Sequence, residues 1–269
     1  MSATQAADGP AVFGDRLREW RQRRRFSQLE LSLAADVSTR HLSFLETGRS
    51  QPSRDMVLTL SDALDVPLRE RNAMLASAGF APGYAQRPLD APEMSAVRLA
   101  IDTVLTGHLP NPALAVDGRW NLVQANAAAM VLMDGVDPAL LGPPTNVYRV
   151  SLHPDGLAGR VVNLDEVAHH LLSRLRHDVE VSGDQGLADL LAEVEGYPTV
   201  RALPHHLDVP DGVVIPVRLR HPEGELAFFT TITTFGTPAD VTVAELAIET
   251  FFPFDQRTAD RLRELVGPG

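Results

Sequence analysis

The residues best suited to chemistry lie in one short stretch near the start of the chain. Between Val12 and Arg54 there are nine arginines and five acidic residues, whereas the whole chain has a net charge of -11. A guanidinium group can donate two hydrogen bonds to O6 and N7 of one guanine, and it also pairs with phosphates. We therefore expect this stretch to bind a polyanion and the acidic remainder to be a solvated surface.

Two capping signals indicate how these arginines are positioned. Ser27, with Glu30 three residues later, predicts a capping box at the start of one helix, and Ser38 predicts the start of the next. Asp36 lies in the short corner between them and must turn the chain sharply. This spacing is typical of a helix-turn-helix, in which the second helix lays its first turn in the major groove of DNA.

The second helix supplies the residues expected to read bases. Arg40 is predicted to bind guanine, and Thr39 or Phe44 to touch a thymine methyl group. Taken alone, the arginine-rich run 21–25 would be interpreted as a solvated face. With phosphate contacts included, the predicted DNA-binding residues are Gln28, Ser38, Thr39, Arg40, Ser43, Phe44, Arg49 and Arg54.

The surrounding sequence predicts an all-α domain of five short helices over residues 1–80. Its first helix has apolar residues at Phe13, Leu17 and Trp20, the spacing of one helix face. Residues 81–93 are predicted to be a semi-extended linker because they contain several breakers. These breakers are Pro82, Gly83, Pro88 and Pro92.

Two stretches of this domain resemble the Xre/Cro-C1 helix-turn-helix family. They are Ser27-Gln28-Leu29-Glu30-Leu31 and Glu46-Thr47-Gly48-Arg49-Ser50-Gln51-Pro52-Ser53. The resemblance covers about a quarter of the chain and implies a five-helix, DNA-binding domain. One departure is Asp36, where many members have Gly; Asp tolerates the left-handed conformation better than most residues.

Residues 94–269 show a mixed pattern that predicts an α+β, PAS-like domain with about five antiparallel strands. Asp117-Gly118 is a hairpin signal between the first two strands. The predicted strands are 113–116, 120–124, 213–220, 226–235 and 243–252. The predicted helices are 94–107, 126–133, 164–179, 186–194 and 257–266.

Several stretches of this second domain resemble the MmyB-like regulator family. They are Val116-Asp117-Gly118-Arg119-Trp120, Asn126-Ala127-Ala128, Leu152-His153-Pro154-Asp155-Gly156-Leu157, His170-Leu171-Leu172-Ser173-Arg174-Leu175-Arg176, and residues 225–236 and 244–253. The resemblance implies a transcription regulator whose second domain encloses a small, largely apolar ligand, such as a fatty acid. It does not identify that ligand.

A cavity between sheet and helices would be apolar with a few polar residues. Arg176 could face an acidic ligand group or form a surface salt bridge with Asp178 or Glu180. The aromatic residues and Met130 could equally fill a core. The predicted ligand-binding residues are Trp120, Asn126, Met130, His169, Arg176, Phe229, Thr231 and Phe251.

Other function classes lack their signatures. Cysteine and lysine are absent, which excludes a disulfide framework, thiolate catalysis and a phosphate-binding lysine loop. His169, His170 and His177 cannot close one tetrahedral metal site on a helix, and no partner can be named for His205-His206. We therefore expect no enzyme activity, metal or cofactor. Without a membrane span or secretion signal, we expect a cytoplasmic protein.

The combined pattern predicts a bacterial transcription regulator that binds operator DNA as a homodimer and responds to a small apolar ligand. Dimerisation is expected because helix-turn-helix proteins bind paired half-sites. The alternative is a constitutive DNA-binding protein whose second domain is a dimerisation or partner-docking module with a filled core. An enzyme fused to a regulatory domain has only the abundance of acid-base residues in its favour.

Overall fold

The computed structural model describes residues 10–204, 215–222 and 224–267. The chain divides into two compact units, the first consisting mainly of residues up to Gln86 and the second beginning at Arg87. Within the described residues, no helix is long and apolar enough to cross a membrane.

The first unit contains five helices, as predicted. Ser27 accepts a hydrogen bond from the backbone of Glu30, which bonds back to it, so the capping box is confirmed; Ser38 and Ser53 also cap helices. Asp36 adopts a left-handed φ of 52°, as the corner requires. The helices are α1 (Pro10–Arg23), α2 (Gln28–Ala34), α3 (Thr39–Glu46), α4 (Arg54–Ala63) and α5 (Leu68–Ser77).

A single apolar core holds these helices together. Its members all have at most 6% of their surface exposed, and the spacing predicted for α1 places three of them on one face. They include Phe13, Leu17, Trp20, Leu31, Leu42, Leu45, Val57, Leu60, Leu64, Met74 and Leu75.

The second unit is an antiparallel five-stranded sheet with helices, and the α+β prediction is confirmed. The strand order is β2-β1-β5-β4-β3. The strands are β1 (Ala113–Val116), β2 (Leu122–Ala125), β3 (Val217–His221), β4 (Gly224–Thr234) and β5 (Ala247–Pro253). The helices are α6 (Ser95–Gly107), α7 (Ala127–Leu132), α8 (Val147–Leu152), α9 (Leu164–Ser182), α10 (Gln185–Glu195), α11 (Pro198–Arg201), α12 (Val241–Ala244) and α13 (Gln256–Val266).

Three predicted strands begin later than expected, and the backbone explains two of these shifts directly. The prediction of a strand from 243 is wrong because 241–244 forms a helical turn, and β5 begins at Ala247. Ala247 pairs with the last residue of β1 and the last of β4, so no partner strand extends further. β2 starts at Leu122 because Trp120 has a left-handed φ of 62°, which an extended strand cannot contain.

The third of these strands and two helices also differ from the prediction. Helix α8 was not predicted, and α9 extends to Ser182, where Gly183 adopts a left-handed φ of 69°. Of the strand predicted over 213–220, residues 213 and 214 lie outside the described residues, and the strand begins at Val217. Pro216, just before it, has no N–H to donate to a neighbouring strand.

The two faces of the sheet pack against different elements. Helix α6 covers one face through Ile101 and Leu105, which contact Ala113, Ala115 and Ile248. The other face carries Leu114 and Phe228 and belongs to the larger apolar clusters formed with α8, α9 and α10. The cavity described below lies on this second face.

Candidate functional site

Helix α3 presents one polar side to solvent. Its Leu42 and Leu45 are fully buried in the core of the first unit, whereas Thr39 and Arg40 are exposed. The Ser38 hydroxyl accepts a hydrogen bond from the His41 backbone at 3.1 Å, so it caps the helix. The first turn of α3 is therefore both ordered and accessible to a groove.

Arg40 and Phe44 interact with each other on this side of α3. The guanidinium carbon of Arg40 lies 5.3 Å from the centroid of the Phe44 ring, within the range of a cation–π contact. The two residues are one helical turn apart, which permits the contact. The ring therefore supports the guanidinium predicted to read guanine.

A buried carboxylate ties α3 to α1 and to the start of α2. The Glu46 side chain is 0% exposed and accepts hydrogen bonds from Arg21 Nε at 2.6 Å and from Gln28 Nε2 at 2.8 Å. Burial is the largest influence on the pKa of Glu46 and acts to raise it. The hydrogen bonds from Arg21 and Gln28, together with the charges of Arg21 and Arg18, outweigh it, so the pKa is lowered. The same bond raises the pKa of Arg21.

The other predicted DNA contacts lie around α3. Arg49 follows the helix, and Arg54 is the first residue of α4; both are exposed. Ser43 is partly exposed, and Thr39 Oγ1 lies 3.0 Å from Ser32 Oγ. Gln28, predicted to contact a phosphate, uses its amide nitrogen on Glu46. Sequence reasoning missed this role of Glu46.

The second unit contains a cavity of about 440 Å³ on the inner face of its sheet. This volume lies in the roughly 300–1,000 Å³ range of sites for small ligands. Most of the lining side chains are apolar and come from the sheet, α7, α8 and α9. They include Leu114, Met133, Val150, Val167, Leu219 and Phe251.

Six polar side chains interrupt this apolar lining. Two are Thr145 and Ser151; the other four, which we call the polar group, are His170 and Arg174 of α9, Thr230 of β4 and Glu249 of β5. Arg174 Nη2 lies 3.1 Å from His170 Nε2, and Arg174 Nη1 lies 3.8 Å from Glu249 Oε1. The last distance allows an ion pair but is too long for a hydrogen bond.

Trp120 does not line the cavity but packs against one residue of this polar group, Arg174. Its ring packs against the Arg174 guanidinium at 5.4 Å and edge-on against Tyr148 at 5.3 Å, and its Nε1 donates to Asp178 at 2.9 Å. Tyr148 Oη and Arg174 Nη1 are buried and have no hydrogen-bond partner among the described residues. This corner of the cavity is thus short of hydrogen-bond acceptors.

Burial shifts several pKa values here. Burial raises the pKa of Glu249 against the opposing effect of Arg174, and it raises the pKa of Tyr148 and of Asp178. Burial, together with Arg174, lowers the pKa of His170. Burial therefore shifts each of these side chains towards its neutral form.

Of the predicted ligand-binding residues, Phe251 lines the cavity, and the others lie outside its lining. Met130 is 51% exposed, while Met133 faces the cavity. Asn126 is buried as the cap of α7, donating to the carbonyls of Leu105 and Asn111. Trp120 reaches the cavity only through Arg174.

The remaining predicted residues lie on elements that line the cavity, but on sides of those elements that do not face it. On α9, His169 and Arg176 are exposed, and Arg176 forms a surface salt bridge with Glu195 at 2.7 Å, whereas Asp178 and Glu180 were the partners considered from sequence. On the far face of the sheet, the Phe229 ring stacks on Phe252, and the Thr231 hydroxyl lies 2.7 Å from that of Thr250.

One signal in the sequence could have indicated the polar group. Glu249 stands inside the apolar run of β5, and a carboxylate in a buried strand needs a partner. Among the described residues, no three His, Asp or Glu side chains are grouped so as to hold a metal ion. His205-His206 lie outside the described residues.

Comparisons with known proteins agree with both units. Residues 97–265 match the family described as MmyB-like transcription regulator ligand binding domain, and residues 17–71 match the family described as Helix-turn-helix. No curated protein matches the chain.

Two solved structures are similar to parts of the chain. The restriction-modification controller protein C.AhdI from Aeromonas hydrophila is 32% identical, over 23% of this chain and 94% of its own, with a TM-score of 0.22. An RNA-binding Light-Oxygen-Voltage receptor is 13% identical, over 92% of this chain and 64% of its own, with a TM-score of 0.28.

Proposed function

The chain belongs to the MmyB-like transcription regulator ligand binding domain family, and we propose that it binds a small, largely apolar ligand in the cavity of its second unit and operator DNA, as a homodimer, through α3. Together with the helix-turn-helix, this family makes the protein a DNA-binding transcription regulator with a ligand-binding domain. We place it in the bacterial cytoplasm, where such DNA lies.

The cavity carries the ligand part of the proposal. A volume of about 440 Å³ lined mainly by aliphatic side chains would be a costly void if it stayed empty, because unfilled apolar space loses packing contacts. This observation favours a ligand-responsive regulator over the alternative, a docking or dimerisation module with a filled core. A ligand that binds only one arrangement of the second unit would shift the population towards it.

The exposed side of α3 supports the DNA part. Thr39, Arg40 and Ser43 lie on one accessible side, and Phe44 supports the Arg40 guanidinium. Proteins of this architecture bind two half-sites about 34–36 Å apart, which is why we propose a dimer. A ligand that altered the spacing of two copies of α3 would alter the affinity for DNA.

Ligand binding can be tested by thermal unfolding of the purified protein with a panel of straight-chain acids, alcohols and esters. A ligand that binds the folded state stabilises it by RT ln(1 + [L]/Kd), about 2.7 kcal/mol at a hundredfold excess over Kd. We expect a rise in Tm with at least one class of chain compound. No rise with any of them would favour the docking module.

DNA binding can be tested by gel shift on the promoter of the protein's own gene. Arg40→Ala should weaken binding to the specific site by roughly ten- to hundredfold, since one bidentate arginine–guanine pair contributes about 1–3 kcal/mol. Arg176→Ala is the matched control, because Arg176 is an exposed arginine of the second unit. Equal binding by Arg40→Ala and the control would remove Arg40 from base reading.

A further inference from the structure

One arginine of the basic run 21–25 is not used within the protein. Arg21, Arg23 and Arg24 each donate a side-chain hydrogen bond to another residue of the first unit. The Arg25 side chain is exposed and has neither an ion pair nor a hydrogen bond among the described residues. Three other arginines of this unit share both properties, and all three are predicted DNA contacts: Arg40, Arg49 and Arg54.

The backbone of Arg25 is also unusual. Its φ is 59°, in the left-handed region that is unfavourable for a residue with a Cβ. The other non-glycine residues of this unit with a positive φ, among those described, are Asp36 and Asp65, and Asp is a type that tolerates this region. Glycine would adopt it at the least cost. Residues held in such conformations cluster at functional sites, which indicates that the Arg25 side chain has a task.

Hydrogen bonds fix the turn that carries Arg25 against α3. Arg21 donates through Nη1 to the Phe26 carbonyl at 2.8 Å, while its Nε donates to Glu46, the last residue of α3. The Gln28 amide, at the first position of α2, donates to the same carboxylate. In a helix-turn-helix the second helix enters the major groove and the first crosses the DNA backbone. Arg25, three residues before α2, is therefore expected where the phosphate chain passes.

We propose that the Arg25 guanidinium binds a DNA phosphate beside the start of α2, and that its left-handed backbone is kept at a cost in stability for the sake of this contact. The inference rests on the proposed DNA-binding function and adds a residue to it. Gln28 was predicted to contact a phosphate here, but its amide nitrogen is used on Glu46, whereas Arg25 has all its donors available. A guanidinium can bind a phosphate through two parallel hydrogen bonds.

A solvated surface charge or a structural role explains Arg25 less well. A structural arginine would have a partner in the protein, and a surface charge gives no reason to keep a costly backbone conformation in place of glycine. Glu30, the acidic residue closest to Arg25 in sequence, accepts from the backbone N–H of Ser27 at 2.7 Å and does not pair with Arg25. A bound phosphate supplies the counter-charge that the described residues do not.

The test is the salt dependence of DNA binding by the full chain, measured by gel shift between about 50 and 200 mM KCl. The two probes are the promoter of the protein's own gene and a fragment of equal length with a scrambled sequence. Each phosphate contact adds about 0.9 to the slope of log K against log salt concentration. Arg25→Gly should lower this slope by about 0.9 per bound protomer on both probes, because a phosphate contact carries no sequence information.

Two further variants separate charge from backbone. Arg25→Lys should keep the wild-type slope, since an ammonium group also binds phosphate. Arg16→Ala removes the same charge from the same unit, but Arg16 already lies 3.9 Å from Glu70, so its slope should match the wild type. In thermal unfolding, Arg25→Gly should raise Tm by roughly 1–4 °C, because glycine adopts the left-handed conformation at less cost.

The possible outcomes distinguish this inference from the proposed function. If the wild type binds the promoter and Arg25→Gly has the same slope, the phosphate contact is refuted while DNA binding through α3 stands. A loss confined to the promoter probe would make Arg25 a base contact and would also refute it. A lower Tm in Arg25→Gly would show that the arginine has a structural role instead. Failure of the wild type to bind either probe would overturn the proposed function itself.

Discussion

Glu46 of α3 and Arg21 of α1 form a two-pronged ion pair, with Nε–Oε1 at 2.6 Å and Nη2–Oε2 at 3.0 Å. The Glu46 side chain is fully buried and the Arg21 side chain is 12% exposed. The pair lies at the end of the helix that presents Arg40, and the same carboxylate holds Gln28 at the start of α2. Three helices of the first unit are thus joined at one side chain.

Glu46→Ala should destabilise the first unit by about 3–5 kcal/mol, because it leaves Arg21 buried without its counter-ion. Urea unfolding followed by circular dichroism measures this change. Glu19→Ala is the control: Glu19 is 65% exposed in its pair with Arg23, and such surface pairs contribute less than about 1 kcal/mol. An equal loss of unfolding free energy in both variants would show that burial does not make the Glu46 ion pair stronger than a surface pair.

The same pair predicts how the stability of the first unit depends on acid. The pKa of Glu46 is lowered in the folded state. Its contribution to stability is therefore complete above the pKa of the unfolded state, about 4.3, and is lost as pH falls through the pKa of the folded state. Glu46→Gln cannot titrate. The stability difference between wild type and Glu46→Gln should therefore be largest near neutral pH and shrink in acid, and a constant difference would contradict the assignment.

Phe44→Leu should weaken specific DNA binding by roughly two- to fivefold, since an exposed cation–π contact contributes about 0.5–1 kcal/mol. The loss should disappear when the experiment is repeated on Arg40→Ala, because the ring then has no guanidinium to support. Gel shifts on the four proteins of this double-mutant cycle measure the coupling. Additive losses would mean that Phe44 acts independently, for example on a thymine methyl group.

Two glycines in helices should respond oppositely to alanine. A Cβ at Gly14 of α1 would lie 2.5 Å from the Leu45 carbonyl oxygen and 2.7 Å from that of Glu46. Gly14→Ala should therefore lower the stability of the protein by about 1–3 kcal/mol, because it forces α1 and α3 apart. A Cβ at Gly107 of α6 meets nothing within 4 Å, and Gly107→Ala should stabilise by about 0.4–1 kcal/mol. Thermal unfolding of both variants checks the signs.

Much of the first unit could be predicted because its signals are local. Ser27, Ser38 and Ser53 each cap a helix through a backbone group three residues away, and the apolar spacing of α1 matched its buried face. The role of Glu46 could not be predicted, since its partner Arg21 lies 25 residues away, on another helix. That Arg40 and the other exposed residues of α3 contact bases stays a prediction.

The cavity shows the limit of sequence reasoning more sharply. The sequence indicated an apolar site with polar residues on α9 and β4, but it named His169, Arg176 and Thr231, whereas His170, Arg174 and Thr230 line the cavity. Successive helix residues point about 100° apart, and successive strand residues point to opposite faces, so small errors of phase select different neighbours.

The sequence by itself determined where the helices of the first unit start, roughly where most strands lie, and that a basic, capped helix precedes an acidic α+β part, because caps, turns and hydrophobic periods act between near neighbours. Only the tertiary structure decided which side chains face the cavity and that Arg174 lies beside Glu249. These two residues are 75 positions apart in the sequence. The packing of α9 on the sheet brings them together and removes water from around them.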